Sequence, residues 1–131
     1  EITLEYVKER TAFGRPIGAN QGVAFPIADL AVGVESARLL TYKAAWLKDE
    51  LRAGRRTAAE VKQAAAIAKL HSSTIAVDAT RIATQVFGGG GFIEEYPVAR
   101  FYRDAKILEI GEGTSEIQRL VIARGLGLSV G

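Results

Sequence analysis

The chain has 131 residues, 17 basic against 15 acidic side chains for a net charge of +2, no cysteine and no methionine. That length suits one domain with a real core, and the absence of cysteine excludes disulfides, thiolate metal sites and cysteine nucleophiles. The balanced charge leaves no basic stripe for nucleic acid, and no apolar run approaches membrane-spanning length, so neither nucleic acid nor membrane insertion is expected.

Apolar spacing is helical almost throughout. The opening residues Leu4 to Arg10 read as the end of a helix already under way. Together with the missing initial Met and the lack of a secretory leader, this leads us to expect a fragment or processed chain that is not secreted. A punctuated loop follows, Arg10-Thr11-Ala12-Phe13-Gly14-Arg15-Pro16-Ile17-Gly18-Ala19-Asn20-Gln21. The second helix covers roughly residues 21 to 53, with a stripe of Val23, Ile27, Leu30, Val34, Ala37, Thr41, Ala44, Leu47 and Leu51. Pro26 means that it either begins near Phe25 or begins near Asn20 and kinks. Gly54 ends it. Arg52, Arg55 and Arg56 flank that end, where they suit the helix dipole.

The third helix opens at Thr57-Ala58-Ala59-Glu60, a capping box, and stops at Gly88-Gly89-Gly90-Gly91. Its stripe is Val61, Ala64, Ala65, Ala68, Ser72, Ile75, Ala76, Ala79, Ile82, Ala83 and Val86. Small residues there permit close helix approach. A fourth helix starts near Pro97, with Val98, Phe101, Tyr102, Ala105 and Leu108 as its buried face. A fifth runs from about Thr114 to Gly125 and carries Ile117, Leu120 and Val121. Short connections between long helices make neighbours antiparallel. The expectation is an all-α, up-and-down four-helix bundle in a single domain over residues 1 to 131.

Three segments offer chemistry. In Ile110-Gly111-Glu112-Gly113-Thr114-Ser115-Glu116-Ile117-Gln118-Arg119, one carboxylate sits between two glycines directly before a helix. Bare backbone lets a ligand approach closely, Thr114 or Ser115 can cap, and Ser115-x-x-Gln118 fits a capping box. The segment reads either as a base beside a binding surface or as an ordinary capped helix with a solvent-facing Glu. The four glycines at 88 to 91 serve as a helix cap and turn, or as a loop whose backbone nears a ligand. A cap needs one glycine, occasionally two, so four tilt toward the ligand. They form neither a Walker A loop nor a dinucleotide fingerprint, because no Gly-Lys-Ser/Thr follows and no strand precedes. In the first loop, Arg10 and Arg15 suit a diphosphate and Phe13 an aromatic ring. The alternative is two solvated arginines and one buried Phe. The single histidine, His71, has Ala68 three residues before it where a Glu-x-x-His pair needs Glu. It reads as a satisfied or partly exposed helix residue, and no Gly-x-Ser-x-Gly elbow exists to pair with it.

Taken together, four words resemble the C-terminal helical domain of the acyl-CoA dehydrogenase flavoenzymes. They are Arg10-Thr11-Ala12-Phe13-Gly14-Arg15-Pro16-Ile17 with Gln21; Gln85-Val86-Phe87-Gly88-Gly89-Gly90-Gly91-Phe92 with Glu95-Tyr96-Pro97; Arg103-Asp104-Ala105-Lys106; and Glu112-Gly113-Thr114-Ser115-Glu116-Ile117-Gln118-Arg119. They stand in family order and spacing over essentially the whole chain. The resemblance implies α,β-dehydrogenation of an acyl-CoA thioester, with Glu112 as the base for the α-proton and hydride passing to the flavin of FAD. A weak carbon acid needs a positioned, shielded base, and the developing enolate needs donors; the Glu112 backbone N–H would be one, with Gly113 against the thioester. The resemblance also assigns Arg10 to the FAD diphosphate, and Thr11, Phe13 and Gln21 to the lining of that site on a neighbouring subunit. Gln85 and Gly89 would meet the adenosine end, and Thr114 and Glu116 the FAD of their own subunit. It implies a homo-oligomer, a dimer or tetramer, with electron-transfer flavoprotein as acceptor, in bacterial cytoplasm or the mitochondrial matrix. Some members carry an aromatic where this chain has Gly111, and position 116 is often Gln. A non-catalytic oligomerising, FAD-gripping bundle and an acyl-CoA oxidase remain alternatives.

Overall fold

The computed structural model describes residues 1–130. In chain order it has α1 (Ile2–Glu9), a two-stranded ribbon of β1 (Thr11–Ala12) and β2 (Arg15–Pro16), a 3-10 turn (Ile17–Ala19), α2 (Gln21–Arg52) and α3 (Ala58–Phe87). A second 3-10 turn (Gly88–Gly91), α4 (Val98–Ala105), α5 (Ile107–Ile110) and α6 (Ser115–Gly125) complete it. Helices α2 and α3 form a long hairpin, and α1, α4, α5 and α6 all pack on α3. The bundle is therefore organised around one central helix. This explains why every residue from 66 to 80 of α3 is buried or half-buried; the single stripe expected from the sequence is too narrow for a helix with neighbours on several sides.

The α2–α3 turn is built from local chemistry. Gly54, at φ 75°, follows the last turn of α2. The N–H groups of Gly54 and Arg55 donate back to the carbonyls of Leu51 and Glu50, the Schellman pattern that closes a helix through a left-handed residue. Arg55 donates to both carboxylate oxygens of Glu50 at 2.6 and 2.7 Å. Arg52 donates to Asp49, and Arg56 to Glu60. Each arginine of the basic cluster thus has an acidic partner nearby.

Thr57 then caps α3. The Glu60 N–H donates to Thr57 Oγ1 at 3.3 Å, and the Thr57 N–H donates to Glu60 Oε2 at 2.8 Å. The Thr57 backbone N–H, more than any other group, holds the Glu60 carboxyl below its ordinary value. A depressed carboxyl stabilises the fold fully above its unfolded value, and that stabilisation is lost as pH falls through the folded value. Thr57→Ala keeps that backbone donor but removes the hydroxyl, which caps the helix and also lowers the Glu60 carboxyl; it is expected to cost about 1 kcal/mol near neutral pH, with a smaller deficit in acid. Denaturant melts at the two pH values check both.

Helix α2 begins at Gln21 and runs through Pro26, which decides for the start near Asn20. At the sixth helical residue, the missing N–H deprives only the carbonyl of exposed Gly22 of a partner, and water can reach it. From Leu30 onward, the apolar positions that are buried or half-buried are Leu30, Gly33, Ala37, Leu40, Ala44, Leu47 and Leu51. The 3–4 alternation is that of antiparallel helix packing. Gly33 and Leu40 thus replace the expected Val34 and Thr41, which are exposed. The crossing point is Gly33, where an added Cβ would lie 2.7 Å from Ile75 Cδ1.

At the far end of the hairpin, Ala83, Phe87 and Val98 form a buried cluster with Tyr6 packed on it. Tyr6 stacks on Phe87 with centroids 4.0 Å apart, and Tyr96 meets both rings edge-on. The expected fourth helix is interrupted at Lys106. The backbone there stays right-handed, but the Glu109 N–H reaches back only three residues, to the Lys106 carbonyl. Its expected buried face is also corrected: Val98 and Ala105 are buried, whereas Phe101, Tyr102 and Leu108 are exposed because no element of this chain covers them. His71 is half-buried, and its Nε2 is buried without a hydrogen-bond partner, so it is partly exposed but not satisfied.

Candidate functional site

The turn between α5 and α6 carries Glu112. It stands at φ 54° and Gly113 at φ 87°. A left-handed non-glycine residue is uncommon and costs of order 1–3 kcal/mol, so it persists only where its surroundings impose it. The cap of α6 differs from the expected box. Thr114 is the N-cap, and its hydroxyl accepts from the Ile117 N–H. Gln118 reaches back past the helix start; its Nε2 donates to the carbonyls of Glu112 and Gly113 at 3.2 and 3.1 Å. Ser115 does not cap, and its hydroxyl is buried without a partner.

Glu112 borders an apolar cleft of about 450 Å³ together with Lys69, Ser72, Ser73, Ile107, Leu108 and Gly111. The residue is exposed, and its carboxylate makes no hydrogen bond or ion pair among the described residues. Lys69 donates from Nζ to the Gly113 carbonyl at 2.7 Å. Thr114 and Glu116 border a separate, smaller cleft with Lys106, Glu109 and Arg119. The Glu116 carboxyl is held below its ordinary value by its own backbone N–H first, then by the Thr114 hydroxyl, with Arg119 and Lys106 adding attraction.

The remaining expected residues gather at the other end of α3. Lys69 and Phe87 are separated by about 27 Å of helix axis. Beside Phe87, the stacked Tyr6 brings in the end of α1 and with it Arg10. Thr11 pairs with Pro16 and Ala12 with Arg15, leaving Phe13-Gly14 as a two-residue turn with φ values of 53° and 80°. Two positive φ angles define the type I′ hairpin. Glycine fills the second place naturally, but a bulky aromatic in the first is rare. Phe13 is fully exposed at the tip, which excludes a buried Phe in this loop. Arg15 donates to Asn20 Oδ1, whereas Arg10 has no carboxylate partner among the described residues. Gln21 and Gln85 are exposed.

The tetraglycine separates by position. Gly88 needs its φ of 58°, a Cβ on Gly90 would crowd the Tyr96 ring, and one on Gly91 would strike the Thr84 carbonyl oxygen at 2.1 Å. Gly89 alone has neither a positive φ nor a neighbour within 4 Å. Folding explains three of the four, and a ligand reading rests on Gly89. The sequence reading missed Lys69 and the role of Gln118. The available signal was a lysine among the buried alanines of α3, where charges are rarely found without a partner.

The helical bundle thus presents Glu112, on left-handed backbone, beside a cleft at the mouth of its last helix, and Arg10 with the exposed Phe13 ring on a tight hairpin at the other end of α3. Residues 1–127 match the family model "Acyl-CoA dehydrogenase, C-terminal domain", and the chain belongs to that family. It is 52% identical over 118 residues to the short-chain-specific acyl-CoA dehydrogenase of Clostridium acetobutylicum, covering 90% of this chain and 29% of that protein. Among solved structures, butyryl-CoA dehydrogenase from Megasphaera elsdenii is similar at 44% identity and TM-score 0.87, over 95% of this chain and 30% of the other. The FAD complex of PigA is similar at 35% identity and TM-score 0.89, over 97% and 31%. The chain spans about 30% of the length of such relatives. No helix among the described residues is long and apolar enough to cross a membrane.

Proposed function

We propose that this chain is the C-terminal helical domain of an FAD-dependent acyl-CoA dehydrogenase in which Glu112 removes the α-proton of an acyl-CoA thioester. The observation that carries the proposal is the left-handed Glu112 at the edge of an apolar cleft, with its carboxylate unengaged among the described residues. An unpaired carboxylate beside apolar lining can accept a proton without first breaking a bond. The bound flavin would supply the other half of the reaction by accepting the β-hydrogen as hydride. The residues present fit such a cofactor. Arg10 has no carboxylate partner among the described residues, Phe13 offers an exposed ring face, and Gly89 is bare backbone open to approach. Arg10 would hold the diphosphate, Thr11, Phe13 and Gln21 would line that site, and Gln85 and Gly89 would meet the adenosine end. Thr114 and Glu116 would face a second flavin, although the ionised Glu116 is poorly suited to a diphosphate.

The roughly 27 Å between the two groups of residues favours two different flavins over one, and so a homo-oligomer with shared cofactors. The exposed Val32, Leu39, Tyr42 and Trp46, spaced along one face of α2, form an apolar patch that calls for cover by other protein surfaces. The decisive test is anaerobic mixing of the flavin-loaded, full-length protein with a short acyl-CoA. Prompt bleaching of the flavin is expected, and a flavin that stays oxidised sinks the reading. Reoxidation by electron-transfer flavoprotein but not by oxygen would separate a dehydrogenase from an oxidase. Arg10→Ala is expected to lower retained flavin at least about tenfold in affinity, as loss of a charge-assisted bond to phosphate should. Unchanged flavin content after dialysis would remove Arg10 from the site.

A further inference from the structure

We propose that Lys69 and Gln118 are positioning residues that clamp the turn carrying Glu112. The inference rests on the reading of Glu112 as the base and names what holds it in place. Three donor contacts converge on two adjacent carbonyls. Gln118 Nε2 reaches those of Glu112 and Gly113 at 3.2 and 3.1 Å, and Lys69 Nζ reaches that of Gly113 at 2.7 Å. They arrive from different helices. Lys69 lies in the middle of α3, 44 residues away in sequence, and Gln118 lies on α6, where it is 9% exposed.

Neither group is placed as its residue type ordinarily would be. Lys69 is half-buried on the central helix and has no carboxylate within 4 Å among the described residues. A lysine in such a place normally finds an acidic partner or reaches water; this one donates to a backbone carbonyl. Gln118 stands one residue beyond the position from which it would complete a capping box with Thr114. It spends its amide on the preceding turn.

The target of these bonds is the strained element of the site. Glu112 occupies left-handed backbone that a non-glycine residue resists, so its conformation must be imposed from outside. Fixing the carbonyls of both Glu112 and Gly113 imposes it. Gly113 is part of the device, because a Cβ there would lie 2.8 Å from Gln118 Nε2. Since α3 also carries the far end of the domain, the clamp references the base to the central element of the fold.

The test uses the flavin-loaded, full-length protein. Lys69→Met, which keeps the length of the side chain and removes its donor, is expected to lower kcat at least about tenfold. Displacement of a catalytic group by a fraction of an ångström costs that much. KM for a short acyl-CoA and flavin content should change little. Lys69→Arg, which restores a charged donor, should recover most of the rate. A merely structural role would instead lower flavin content and thermal midpoint and would not separate kcat from KM. Should Lys69→Met fail to fold, Gln118→Met removes bonds to the same carbonyls from the other helix and is judged by the same criteria. Wild-type kcat in the folded variant, while Glu112→Gln is inactive, overturns the clamp and leaves the base intact. Full activity of Glu112→Gln overturns the base itself.

Discussion

Glu112→Gln, in the flavin-loaded, full-length protein, is expected to retain its flavin and lose at least about a hundredfold in turnover, the effect of removing a positioned general base. The substitution is unusually clean here. The Glu112 carboxylate makes no hydrogen bond or ion pair among the described residues, so the amide breaks no existing contact. Glutamine matches glutamate in size, and the backbone clamp acts on carbonyls that the substitution leaves untouched. Stability should therefore stay within about 0.5 kcal/mol, as for surface substitutions away from any network. The loss should appear in the anaerobic rate of flavin bleaching, where chemistry is isolated from product release and reoxidation. A variant that bleaches at the wild-type rate would move proton abstraction to another group.

Much of the architecture was legible because it is written in local chemistry. Thr57 and Glu60 announce the start of α3 through a cap that needs only residues three apart. Gly54 announces the end of α2 because the turn requires positive φ. The regions misread depend on partners distant in sequence. Gln118 looks like a capping residue until Glu112 folds back beneath it, and Lys69 looks like an ordinary helix lysine until Gly113 arrives from 44 residues away. Helical periodicity in α4 correctly found an apolar face, but it could not say that Phe101 and Tyr102 lack cover within this chain. On α2, Val34 and Thr41 lie one residue from Gly33 and Leu40, and only the approach of α3, whose Ile75 meets Gly33, selects between them. The type I′ turn at Phe13-Gly14 was hidden because a phenylalanine is not the residue that such a turn ordinarily takes.

Gly91→Ala is expected to destabilise the fold by at least about 2 kcal/mol, within the range for overpacking a filled site, whereas Gly89→Ala should leave the melting transition nearly unchanged. The two glycines stand two residues apart in one turn, yet their surroundings differ. A methyl group on Gly91 would sit 2.1 Å from the Thr84 carbonyl oxygen and 2.8 Å from Thr84 Cα. Those atoms belong to the α3 backbone and cannot swing aside as a side-chain tip would, so either the turn lifts away or the last turn of α3 deforms. Either response disturbs Phe87, on which Tyr6 stacks and against which Val98 is buried. The effect should therefore reach beyond stability. Tyr6 anchors the end of α1, and Arg10 follows three residues after Val7, so a displaced Phe87 should loosen the hairpin that carries Arg10 and Phe13. Gly91→Ala protein is expected to lose flavin on heating well before Gly89→Ala protein does. Gly89→Ala should show only weaker flavin binding at a normal melting temperature, since its methyl would point into the open space proposed for the adenosine end. Thermal melts monitored in parallel by circular dichroism and by flavin fluorescence distinguish the two. Coincident, wild-type-like transitions for Gly91→Ala would show that the turn can yield at little cost, and would break the proposed coupling between the tetraglycine and the arginine hairpin.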